Sequence, residues 1–339
     1  MIGLLLKTEV AKKRYARFKK RKTAVFAAWF FLFMCLFSFM APVISNSRPI
    51  IMSFKGTLYF PALKMYHPKE FGDNENLMMD YRKLELGEGD WATWPFNKWN
   101  PYESNDDVDE YPSPPSGTNI LGTDEGGRDV FSRLLYGFRP SIIFAGLVWF
   151  FSYALGIASG GIMGFYGGKV DIIGQRLVEI LSTVPQLFLI IILVSMFDSS
   201  VGLLATIVIA FGWIGISYYI RAEFLKNRNR EFVEAARSMG ASDTRIFLRH
   251  ILPNSLTPVI TFAPFFIAAQ FATLASLDYL GFGLPVPTPS WGEMLAQGQK
   301  YYSVAWWLAV YPSLCLFVTL YMLNLVGEGL RDAMDPNLV

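Results

Sequence analysis

Six stretches of this chain contain no Asp, Glu, Lys or Arg: Ala24–Ile44, Pro140–Tyr166, Ile180–Phe197, Ser199–Ile220, Ser255–Leu277 and Tyr301–Gly327. Each is at least 18 residues long, and about 20 helical residues cross a hydrocarbon core of about 30 Å. The pattern predicts six membrane-spanning helices. Within the second stretch Ser152, Gly156, Gly160 and Gly164 recur every fourth residue, a row of small side chains that lets membrane helices pack backbone to backbone. Pro185, Pro258, Pro264 and Pro312 fall in other stretches and predict kinks there.

Basic residues set the expected orientation. Residues 1–23 hold nine Lys or Arg, Lys7 through Lys22, against the single acid Glu9, and short flanks this basic stay in the cytoplasm. Six crossings then return the tail, 329–339, to the same side. The polar loop 222–254, rich in Arg, falls inside as well, and segment 45–139 falls outside. A cleaved signal peptide fits poorly, because the first apolar run is long and no small-residue cleavage site follows it. Segment 45–139 is too long for a plain connector. Trp91, Trp94 and Trp99, with the acidic cluster Asp106, Asp107, Asp109 and Glu110, suit a small irregular subdomain that either receives a soluble binding protein or serves as a lid or spacer.

Composition agrees: 53% of residues are hydrophobic and 17% charged, a membrane balance. A net charge of +2 gives no nucleic-acid signature. The inventory also argues against chemistry in the chain. His67 and His250 are the two histidines, both outside the apolar stretches, and no Cys/His cluster has metal-ligand spacing. Cys35 and Cys315 lie inside apolar stretches and read as packing residues. The run Gly164 to Val170 lacks the spacing of a phosphate loop. Charges flank the spans (Glu179, Asp198, Arg221, Asp278, Glu328) and leave their centres empty, whereas ion-coupled transporters carry ionisable groups at mid-membrane. An ion-coupled secondary transporter or channel subunit stays open as the alternative; otherwise the energy comes from a partner.

The polar loop carries the sharpest pattern. Phe232, Ala235, Ala236 and Met239 recur at helical spacing and predict one narrow apolar face, with the alanines keeping it low. Gly240 suits the position that ends such a helix, and Ser242 the cap of the next. That second helix is expected to bury Ile246, Phe247, His250 and Ile251 and to stop at Pro253. The segment Glu234-Ala235-Ala236-Arg237-Ser238-Met239-Gly240, with Leu252-Pro253 at the matching distance, resembles the EAA loop of ABC-importer permeases. The resemblance implies that Phe232, Glu234, Ala235, Ala236, Arg237, Met239, Gly240, Leu252 and Pro253 couple the chain to a separate ATPase.

Three further segments narrow the resemblance. Gly122-Thr123-Asp124-Glu125-Gly126-Gly127-Arg128-Asp129 is similar to the segment before the second span in C-type subunits of the dipeptide, oligopeptide and nickel permease family. By its chemistry it is a turn-forming, salt-bridged cap. The Pro-rich run Leu284 to Gly292 and the ending Gly329 to Pro336 resemble that family too. Leu274 and Asp278 stand where ordinary members tend to carry Glu and Ser, and Asp278 is a candidate for the edge of the pathway.

The resemblance implies an all-α, type I ABC-importer transmembrane domain of six helices with a long periplasmic insert after the first. It implies an inner-membrane location and import of oligopeptides, peptide antibiotics such as microcin C included. The expected partners are a homologous B-type permease, two cytoplasmic ABC ATPase domains that hold ATP and Mg, a periplasmic peptide-binding protein and lipid. No cofactor is expected in the chain itself.

Overall fold

The computed structural model describes residues 9–72, 79–87, 89–197 and 199–335; Lys7, Asp198 and Pro336 lie outside them. In chain order, α1 (Glu9–Lys20), α2 (Lys22–Phe39) and the single turn α3 (Ala41–Ile44) lead into an insert with strands β1 (Ile51–Phe54), β2 (Thr57–Tyr59) and β3 (Trp91–Thr93). There follow α4 (Val130–Tyr166), α5 (Gly168–Ser182), α6 (Gln186–Met196), α7 (Val201–Asn227), α8 (Glu231–Ser238), α9 (Asp243–Arg245), α10 (Thr257–Tyr279), α11 (Trp291–Lys300) and α12 (Trp307–Met334).

Five of the described helices, α2, α4, α7, α10 and α12, are long and apolar enough to cross a membrane, while α5 and α6 pass the same test only as a pair, bent by 66° at the break between them. The expected third span, 180–197, is thereby corrected. Its first residues end α5, and the chain turns before Pro185, whose ring disfavours helical geometry in the residue ahead of it. Pro264 and Pro312, by contrast, sit inside continuous helices.

The small-residue row of α4 meets α7. A Cβ on Gly160 would stand 2.4 Å from the Ser217 carbonyl oxygen, one on Gly164 2.6 Å from that of Arg221, and one on Gly156 2.7 Å from that of Trp213. Backbone touches backbone along three turns, and the apolar groups that close over this seam include Phe224, Ile216 and Tyr153.

Contacts sort the termini of the helices into two ends. Arg21 pairs with Glu328 (2.7 Å) and Asp332, so α2 starts beside the last turns of α12. Arg228 donates to the Gly164 carbonyl (3.3 Å), and Arg221 pairs with Asp171, which brings the start of α5 and the end of α7 together. At the other end Ser199 donates to the Gly283 carbonyl and Trp307 Nε1 to the Thr123 carbonyl (3.0 Å). The insert between α2 and α4 lies there. It is a small sheet in the order β2-β1-β3, antiparallel throughout, over a cluster of Met52, Phe54, Phe71 and Tyr81. Lys55 and Gly56, both with positive φ, make the tight turn between β1 and β2.

Candidate functional site

At the first end, α8 is closed by its own backbone. Gly240 has φ +78°, its N–H donates to the Arg237 carbonyl (3.0 Å), and the Ala241 N–H to that of Ala236 (3.1 Å). That pair of bonds satisfies the last carbonyls of the helix. Ser242 precedes α9, but its side chain makes no cap; the Ile246 N–H donates to its carbonyl instead (2.9 Å).

The expected buried face of α8 needs correction. Val233 and Ala236 face the bundle, at 0% and 2% exposure, while Phe232 and Met239 are 39% and 80% exposed. Ala235, Glu234 and Arg237 are exposed as well. The helix carries two adjacent apolar stripes, and only 233/236 is used by its own chain. Pro253 also acts differently from expectation. The backbone widens to a π-turn over Ile246–Ile251, tightens over Leu252–Ser255 and runs on into α10; Pro253 sits in the first turn of the tightened segment, where its missing N–H costs no helical bond.

The hairpin is fastened to the bundle on three sides. Ile246 and Ile251 are fully buried with Val233 against Ile220 and Phe224. Phe247 packs on Phe224 (4.8 Å between ring centres) and Phe165 (5.6 Å), over Gly161, where any Cβ would meet its ring at 2.7 Å. Asn227, closing α7, donates to Ser255 Oγ (3.1 Å), and that hydroxyl donates to the Ile251 carbonyl (3.0 Å). A force on α8 therefore reaches α7 and α10 through close-packed side chains.

At the opposite end, the segment 122–129 is the hub of a buried polar cluster. Asp124 accepts from the Gly126 and Arg128 N–H groups (both 2.9 Å) and from Arg128 Nε (2.8 Å). Arg133, fully buried, pairs with Asp124 (3.2 Å) and Glu293 and donates to the carbonyls of Pro101 (3.2 Å) and Pro287 (3.1 Å). One guanidinium thus joins the insert, α4, the Pro-rich run and α11, and it shares Asp124 and Glu293 with Arg128, so that two buried guanidiniums are matched by two carboxylates. Thr123 Oγ1 accepts from the Ser113 N–H (2.7 Å). Gly122 and Gly127 leave room: a Cβ on Gly122 would stand 2.8 Å from the Ser113 carbonyl, and one on Gly127 2.5 Å from the Tyr111 ring.

Asp129 caps α4. Its carboxylate accepts from the Ser132 N–H (2.8 Å), Asn97 Nδ2 (2.6 Å) and Asn119 Nδ2 (2.9 Å). Burial pushes its carboxyl above the usual range, and the donors from Asn119, Ser132 and Asn97 pull against that. Asp129→Ala is expected to cost about 3 kcal/mol, from the lost cap and two orphaned amides. Asp129→Asn is expected to cost less, about 1 kcal/mol, since its carbonyl oxygen can still accept from the Ser132 N–H and Asn97 while its amide faces that of Asn119. A thermal unfolding midpoint in detergent equal to wild type would contradict both.

Asp278, the candidate for the edge of the pathway, is 8% exposed and accepts from the Leu284 N–H (2.6 Å) and Ser290 Oγ, so it staples the loop between α10 and α11 back onto α10. Arg133, Glu293, Asn97 and Asn119 carry the outer cluster although no motif singled them out as site residues.

The family described as "Binding-protein-dependent transport system inner membrane component" matches residues 156–339, and "N-terminal TM domain of oligopeptide transport permease C" matches residues 13–59. The chain is 39% identical over 333 residues to the inner membrane ABC transporter permease protein YejE of Escherichia coli, covering 97% of both chains. It is 33% identical to the peptidoglycan transport system permease protein YejE of Agrobacterium fabrum, covering 96% of this chain and 92% of that one. With the oligopeptide transport system permease protein OppC of Haemophilus influenzae it shares 37% identity, over 65% of this chain and 71% of the other. These relatives are permease subunits, membrane components rather than enzymes. With its all-α multi-pass bundle and the insert after its first membrane helix, the chain belongs to the inner-membrane permease components of binding-protein-dependent ABC transport systems.

Proposed function

We propose that this chain is one permease half of an ATP-driven peptide importer, paired with a homologous B-type permease and moved by two ABC ATPase domains that bind ATP and Mg. A soluble binding protein delivers the substrate to the end that carries the insert, and both termini face the cytoplasm. Oligopeptides are the substrate class, with peptide antibiotics such as microcin C inside it. The names of the relatives support the class: one is an oligopeptide permease and another a permease for peptidoglycan, a peptide-bearing polymer.

One observation carries the reading. The 232/235/239 stripe of α8 is exposed on a short helix whose other side is locked into the bundle. A second protein that grips that stripe moves the spans behind it. Coupling of this kind needs no ionisable group at mid-membrane, which distinguishes it from transport driven by an ion gradient.

The test is uptake of a defined peptide set into vesicles holding the chain with its partner subunits. Uptake is expected to require ATP on the side of α8 and to stop when ATP is withheld. Uptake driven by a proton or sodium gradient without the ATPases would overturn the proposal.

A further inference from the structure

The basic residues of α1 divide between its two sides. At 100° per residue, Lys12, Lys13, Lys19 and Lys20 fall within about 120° of arc, and Arg14, Arg17 and Phe18 occupy the other side. Exposure follows the same division: the four lysines are exposed, while Arg14, Arg17 and Phe18 are partly covered. The covered side is docked on the end of α12. Arg17 donates to the Asp335 carbonyl (2.9 Å), Arg21 just beyond α1 pairs with Glu328 and Asp332, and the Phe18 ring lies over Gly329 (3.1 Å from a Cβ built there). The arginines fasten the helix, and that fastening points the lysines outward.

Lys12 meets Glu9 at 3.2 Å. Among the described residues Lys13, Lys19, Lys20 and the neighbouring Lys22 have no ion pair. Glu9 is the one acidic partner on this face among the described residues, so the face keeps an excess of positive charge suited to counter-charge from outside the chain. Position says where it comes from. α2 begins at Lys22, and with 1.5 Å per residue along α1 and one extended residue at Arg21, no lysine backbone of α1 lies more than about 20 Å from that point, whatever the tilt of the helix. Long lysine side chains shorten the remaining gap. Exposed Tyr15, at the margin of the lysine face, is a residue type enriched at membrane interfaces.

We propose that the lysine face of α1 binds anionic phospholipid headgroups of the leaflet that α2 enters, with each lysine contributing attraction that salt screens. Because α1 is tied to α12 through Arg17, Phe18 and Arg21, the lipid surface becomes a fixed support for that end of the bundle. The inference rests on the inward placement of the N-terminus proposed above only in naming the leaflet.

The test uses the full chain purified in an uncharged detergent, with phosphatidylglycerol and phosphatidylcholine added in equal amounts and retained lipid counted by native mass spectrometry. Wild type is expected to prefer phosphatidylglycerol. The preference should fall by about fivefold for each lysine removed in Lys12→Gln, Lys13→Gln, Lys19→Gln and Lys20→Gln, shrink with rising salt, and survive when the same four become Arg. Equal retention of the two lipids by wild type would overturn the proposal and return the lysines to an acidic protein partner. An unchanged preference in the Gln variant, or one lost equally in the Arg variant, would overturn it too. Retention in detergent does not depend on membrane orientation, so a misassigned N-terminus would leave this result intact and fail a separate labelling assay for sidedness.

Discussion

Ala235→Trp is expected to cut substrate-stimulated ATP hydrolysis by the assembled transporter at least about tenfold, while the chain still inserts and folds. Ala235 is exposed on α8, so a large side chain there meets solvent in the isolated chain and costs only about 0.5 kcal/mol in helix propensity. Against an ATPase fitted closely to that face the same ring leaves a gap at Phe232 and Met239. A tenfold loss corresponds to about 1.4 kcal/mol, well within what one misfit at the centre of an interface costs. Val233→Asp, one turn-face away, should behave differently: Val233 is fully buried, and a carboxylate there is expected to detach the hairpin and lower stability itself. Activity and co-purification of the ATPase, measured together, separate the two. Full stimulated hydrolysis in the Ala235 variant would remove α8 from the coupling path.

Gly160→Leu is expected to prevent accumulation of folded chain. The Cβ alone would sit 2.4 Å from the Ser217 carbonyl oxygen and 3.1 Å from Ser217 Cα. Both are backbone atoms, so no rotamer change relieves the clash, and α4 and α7 must move apart along the whole seam. The cost lies at or above the upper end of core overpacking, about 3 kcal/mol. Gly146→Leu, on the same helix, serves as the matched control: a Cβ there meets nothing within 4 Å, and near-normal yield is expected. Comparable thermal unfolding midpoints for the two variants would contradict the backbone contact.

The membrane crossings were legible because a charge-free run of 18 residues or more has little place in a water-soluble fold, and the row from Ser152 to Gly164 already marked the side on which α4 meets a neighbour. Gly240 was legible for a related reason, since a glycine placed after an apolar helical face suits a left-handed turn. The orientation of α8 was not. Its stripes, 233/236 and 232/235/239, are both apolar and adjacent, and a docking surface has the same residue chemistry as a buried one. Only the packing of Phe224, Ile246 and Ile251 distinguishes them. The bend near Pro185 could be placed but not sized, because a proline permits a kink or a full break. The outer cluster was half visible: Asp124 and Arg128 are four apart and could be paired on spacing, whereas Arg133 and Glu293 are separated by 160 residues and meet only through the tertiary fold. Asp278 shows the same limit, since its partner Ser290 lies across a loop.

The knot around Arg133 constrains how such a permease half could change shape. Because one side chain holds the insert, the start of α4 and the start of α11 together, any movement of that end is expected to carry those parts as a single block. The flank at α6 carries no comparable knot, for among its described residues Ile190 is the buried one, and any change of shape is expected to fall there first.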